Sequence, residues 1–124
     1  MKLHRDNPYT QNRIRGYGPG EIRINDTSYH QSLIVGPQVV ELEDLPAGPA
    51  ALEIRHLDRL LTHAPEIILL GTGSRLVFPP RERLLHMQER GVGMEVMDTG
   101  AACRTFNVLL AEDRVVLALL LLDG

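Results

Sequence analysis

The chain has 124 residues, 44% of them hydrophobic and 23% charged, with a net charge of −3. That balance fits one folded domain with an aliphatic core and excludes a disordered chain or a membrane-spanning bundle. Two Phe, three Tyr, no Trp and a negative net charge also argue against a nucleic-acid partner, because stacking platforms and an attracting field are both lacking.

Residues 1–12 are polar, contain Pro8 and show no periodicity, so a flexible tail is expected ahead of a single domain over residues 13–124. The N-terminal stretch lacks the apolar segment of a secretory signal. Cys103 is the only cysteine, which rules out an internal disulfide and points to a reducing, cytoplasmic location.

From Ile14 the pattern is β-like: "RIRGY", the turn "GPG" at Gly18 to Gly20, then "EIRIN" with Ile22 and Ile24 alternating against charges. Asn25-Asp26 is a second turn, and "SYHQSLIV" after it is expected as one strand with Tyr29, Leu33 and Val35 on one face. A short strand "VVEL" and the loop "EDLPAGPA" lead to "LEIRHLDRLLTHAP", where Ile54, Leu57, Leu60 and Leu61 recur at helical spacing until Pro65.

The second half reads β-α-β-α-β. "EIILLG" is a continuous apolar strand, "RERLLHMQERG" a helix started by Pro79 or Pro80, "VGMEVM" a strand, "DTGAACRTFNVLLAED" a third helix, and "RVVLALLLL" the last strand. The apolar run Val115 to Leu122 has eight residues, against roughly 18 needed to cross a bilayer, so membrane insertion is not expected. Alternating strands and helices imply a mixed sheet covered on both faces, with an added N-terminal antiparallel element and about three helices. The direction of the last strand stays open.

The stretch "LLGTGSRLVFPP" invites comparison with phosphate loops. A Walker-type loop requires a lysine that "GTGSR" lacks, and a dinucleotide fingerprint requires a glycine where Leu76 stands. A strand-to-loop turn is the better reading. Even so, "GTGS" and "MDTG" both leave the carboxyl ends of strands, where α/β sheets collect ligands. Gly71, Thr72, Gly73, Ser74, Arg75, Glu95, Asp98 and Thr99 are therefore a candidate groove. Asp98 and Thr99 are equally favoured as helix N-caps, and Glu95 as a water-facing residue of a strand.

Arg75, Arg81, Arg83 and Arg104 form a candidate patch for an anion or a protein partner, since cations in a first helical turn oppose the helix dipole. Cys103 falls on the apolar stripe of the third helix and reads as a core thiol. The five histidines lack metal-ligand spacing, no serine sits in a nucleophile elbow, and no catalytic residue, metal or cofactor is assigned.

The ordered motifs "GYGPGEIRINDTSYHQSLIV", "EIILLGTGSRLVFPP" and "GVGMEVMDTGAACRTFNVLLAEDRVVLALLL" resemble the Mth-type domain family. Its relatives include a mitochondrial respiratory complex I assembly factor and an adipogenesis-associated protein. The resemblance covers residues 14 to 122 and implies a three-layer α/β fold with a mixed central sheet. Matching positions are Gly71, Thr72, Gly73 and Pro79 in the second motif, and Met97, Thr99, Ala101, Ala102, Thr105, Phe106 and Asn107 in the third. Phe106 stands where the family often has tyrosine, and Asp113 where it often has glycine. By this resemblance the expected role is a non-enzymatic interaction or assembly module with an unidentified protein partner. A binder of small anionic molecules, or an enzyme using the groove, is the alternative.

Overall fold

The computed structural model describes residues 11–123. Three short strands come first: β1 (Ile14–Gly18), β2 (Glu21–Ile24) and β3 (Thr27–Tyr29), each antiparallel to the next. Their turns place Gly20 at φ 71° and Asn25 at φ 52°, left-handed positions that these two residue types accept most readily.

The segment "SYHQSLIV" is two strands and not the expected one. Its second part, β4 (Leu33–Gly36), leaves the small sheet and joins the central one. Side chains in the break take distant backbone partners: Gln31 Nε2 donates to the Leu42 carbonyl at 2.8 Å, and Ser32 Oγ accepts from the Leu122 amide at 2.8 Å. Asn12, expected in the tail, is also tied down. Its amide donates to the Pro37 carbonyl at 2.7 Å and its side chain to the Gly36 and Val39 carbonyls. The expected tail up to residue 10 lies outside the described residues.

The remaining elements are β5 (Val39–Glu41), α1 (Ile54–Leu61), β6 (Ile67–Gly71), α2 (Arg81–Glu89), β7 (Gly93–Met97), α3 (Thr99–Ala111) and β8 (Val116–Leu120). They build a five-stranded sheet of order β5-β4-β8-β6-β7. Strand β8 runs parallel to β6 and antiparallel to β4, which fixes its direction and makes the sheet mixed.

Burial on both faces follows from the alternation in β8. Val116, Ala118 and Leu120 pack with Ile22 and Ile24 of the small sheet and with Ala102, Cys103 and Phe106 of α3. Leu117 and Leu119 pack on the opposite face with Leu57 and Leu60 of α1 and Met87 of α2. The result is three layers: two helices, the sheet, and α3 beside the small sheet. Phe106 is fully buried in the α3 layer, a burial that contributes about 1.5–3 kcal/mol.

Candidate functional site

Because β6, β7 and β8 are parallel, the segments that follow them emerge on one edge of the sheet. Thr99, the first residue of α3, ties these exits together. Its buried Oγ1 accepts from the Gly73 amide at 2.8 Å and donates to the Leu121 carbonyl at 2.6 Å. Backbone bonds from Thr99 N to Gly73 O and from Leu121 N to Gly71 O complete the junction. Gly71 must be glycine, since a Cβ there would lie 2.9 Å from Thr99 Cα. Asp98 caps α3, its Oδ1 accepting from the Ala101 amide at 2.8 Å.

Beside this junction is an open cleft of about 790 Å³. One side is the β1–β2 turn from Tyr17 to Glu21; the other is Gly73, Ser74, Asp98, Thr99 and Gly100, with Leu122 and Asp123 at the end. The two sides touch closely where a Cβ on Gly100 would meet Tyr17 Cε1 at 2.9 Å. Arg104 hydrogen-bonds the Tyr17 hydroxyl, and its guanidinium carbon lies 5.8 Å from that ring's centroid. Ser74 donates its amide and hydroxyl to Asp123, the hydroxyl at 2.7 Å. The Ser74 hydroxyl, followed by backbone amides, holds the Asp123 carboxyl below the usual carboxylate range. Gly73, at φ 104°, lets that carboxylate approach.

The expected groove is only partly gathered. Gly73, Ser74, Asp98 and Thr99 line the cleft, whereas Gly71, Thr72, Arg75 and Glu95 do not. Glu95 lies exposed on β7, an edge strand, where an added charge discourages pairing with other chains. Tyr17, Glu21, Arg104 and Asp123 carry the rest of the lining chemistry. The "GPG" turn signalled a hairpin, but nothing local signalled that it would fold over the start of α3.

The four arginines do not form one patch. Arg104 is on α3, on the other side of the sheet from α2, and is engaged by Tyr17. Arg83 reaches inward, Nε donating to the Leu52 carbonyl at 2.7 Å. Arg75, in the segment that links β6 to α2, and Arg81, the first residue of α2, remain exposed. Between them Leu76, Val77 and Phe78 are 52%, 43% and 63% exposed. This is an ordered protrusion. Thr72 Oγ1 donates to the Arg75 carbonyl at 2.6 Å and accepts from the Val77 amide at 3.1 Å.

Cys103 is buried beneath β1, and burial pushes its thiol up to about 12, which removes thiolate chemistry near neutral pH. Among the described residues, no helix is long and apolar enough to cross a membrane.

A protein of Francisella tularensis subsp. holarctica named "13 kDa major membrane protein" is 34% identical over 104 residues, covering 83% of this chain and 85% of that protein. The Danio rerio protein named NADH dehydrogenase (ubiquinone) 1 alpha subcomplex assembly factor 3 is 32% identical over 109 residues. The match covers 87% of this chain but 63% of that longer protein. A Bordetella pertussis protein described as a Mth938-like domain, solved by NMR, superposes with a TM-score of 0.79 at 31% identity, over 100% of this chain and 94% of that one. The family profile described as "Protein of unknown function (DUF498/DUF598)" matches residues 14–121, and the chain belongs to that family.

Proposed function

We propose that this chain is a non-enzymatic protein-interaction module that serves the assembly of a multi-subunit complex. The observation that carries this reading is the exposed Leu76-Val77-Phe78 surface between Arg75 and Arg81, held by Thr72 through the Val77 amide. Three adjacent apolar side chains held in water by a hydrogen-bonded loop are what a partner surface requires. The polar groups near the junction are already committed: Thr99 to Gly73 and Leu121, Asp98 to its cap, Ser74 to Asp123. The relative named as an assembly factor supports the same reading, and a part in respiratory-complex biogenesis is its natural extension. The proposed location is cytoplasmic, with any membrane association supplied by the partner.

The test is affinity capture of the tagged chain from its own cell extract, alongside a Leu76→Ser/Phe78→Ser variant. The expected result is a reproducible partner that the variant loses while its circular dichroism and thermal melt stay unchanged. Capture of no partner, or equal capture by the folded variant, overturns the reading.

The cleft supports a second reading, the binding of a small molecule. Glu21, Asp98 and Asp123 outnumber Arg104 on its walls, which disfavours an anionic ligand. A thermal-shift screen favours this reading where a neutral or cationic metabolite raises the melting temperature and Tyr17→Ala abolishes the shift.

A further inference from the structure

We infer that the occupant of the Leu76–Phe78 surface is an acidic, apolar segment of a partner protein, lying extended across the protrusion with carboxylates against Arg75 and Arg81. This rests on the interaction reading above and specifies the partner's chemistry.

The first support is preorganisation. Thr72, itself buried, clamps the loop through the Arg75 carbonyl and the Val77 amide. Pro79 is buried, and Pro80 forms the N-cap position of α2 at φ −53°. Both ends of the apolar stretch are thereby pinned, so a partner that lands on it pays little ordering entropy on this side.

The second support is charge. Neither Arg75 nor Arg81 makes an ion pair within 4.0 Å among the described residues, although Arg75 is near enough to Asp123 to contribute to that carboxyl's lowered pKa. Arg81 is the first residue of α2, so a cation sits at the positive end of the dipole, offset in part by Glu82 in the same turn. A partner carboxylate relieves that repulsion and pairs with the guanidinium. Residues 75–81 span at most about 20 Å when extended, so the partner's acidic positions lie no more than about six residues apart, with apolar residues between them.

Charge also separates this occupant from a lipid surface. A net charge of −3 is repelled by an anionic bilayer, which presents its charge to the whole molecule. A short segment is screened from all but the charges within a Debye length of about 8 Å, so its carboxylates must meet the guanidinium groups themselves and stay clear of the nearby acids Glu82 and Asp123.

The experiment places p-benzoylphenylalanine at position 76 of the full chain in cells, and maps the cross-linked product by mass spectrometry. The expected product is a partner segment carrying acidic residues on both sides of apolar ones. Arg81→Glu and Arg75→Glu are each expected to lower partner capture about tenfold. Arg81→Gln serves where the reversal perturbs folding. Cross-links to a second copy of this chain, to lipid, or to a neutral or basic segment overturn the inference, as does capture unchanged by both charge reversals. If Phe78→Ser abolishes capture while the arginine variants retain it, the acidic segment is rejected and the assembly reading stands. Capture retained by all of them rejects the assembly reading itself.

Discussion

Asn107 of α3 completes both backbone hydrogen bonds of Ile14 in β1, 93 residues away in the chain. Its Nδ2 donates to the Ile14 carbonyl at 2.7 Å, and its Oδ1 accepts from the Ile14 amide at 3.0 Å. A side chain thus plays the part of a neighbouring strand, and the small sheet is docked on the helix through it. The docking sets the position of Tyr17, three residues along β1, and with it one side of the cleft.

Replacing Asn107 by Ala leaves an amide and a carbonyl without partners at a partly buried position. The expected cost is about 1–3 kcal/mol for each group, before any relaxation that admits water. Asn107→Asp still accepts from the Ile14 amide but faces the Ile14 carbonyl with an oxygen. Urea titration should therefore rank wild type above both variants. Equal midpoints for wild type and Asn107→Ala would show that the contact contributes nothing.

Thr99 offers a cleaner comparison, because its hydroxyl works in two bonds while its methyl only packs. Thr99→Val keeps the shape and orphans the Gly73 amide and the Leu121 carbonyl, for an expected loss of about 2–4 kcal/mol. Thr99→Ser keeps both bonds and should lie within about 1 kcal/mol of wild type. Thermal melts of the three proteins decide it. A serine variant as unstable as the valine one would refute the hydroxyl's role.

The amino-acid pattern carried most of the fold. Period-two alternation located β1, β2 and β7, continuous apolar runs located β6 and β8, and helical spacing located α1, α2 and α3. The break between β3 and β4 escaped it, because Gln31 and Ser32 are fixed by partners at Leu42 and Leu122 that no local window contains. The site divides in the same way. "GTGS" and "MDTG" stand at the strand exits where the parallel order puts them, while Tyr17 and Glu21 enter the cleft through tertiary docking alone. Glu95 and Arg83 have ordinary explanations, an edge strand and a bond to the Leu52 carbonyl, that depend on strand order and helix placement.

Cys103 provides a probe of the intact core. Its thiol is 1% exposed and is pushed up to about 12 by burial. Native protein should resist a thiol reagent such as dithionitrobenzoate at mildly alkaline pH, and react fully once guanidinium chloride unfolds it. Rapid labelling of the native protein would mean that the contact between β1 and α3 opens readily.

His56 makes stability depend on pH. Its Nδ1 accepts from the Glu53 amide at 2.8 Å at the start of α1, and its buried Nε2 has no partner among the described residues. Burial, aided by the nearby Arg55, lowers the pKa of the ring below its ordinary 6.5. The unfolded chain therefore binds a proton at a higher pH than the folded one. The stability due to neutral His56 is full above about pH 6.5 and is lost as the pH falls from there toward the folded-state value. Protonation also removes the lone pair that caps the Glu53 amide, so the first turn of α1 should loosen. Urea midpoints should fall between pH 7 and pH 5, and His56→Gln should flatten the slope in that range. In NMR, the His56 ring should titrate below a histidine in the unfolded protein. A ring that titrates at or above the unfolded value refutes the assignment.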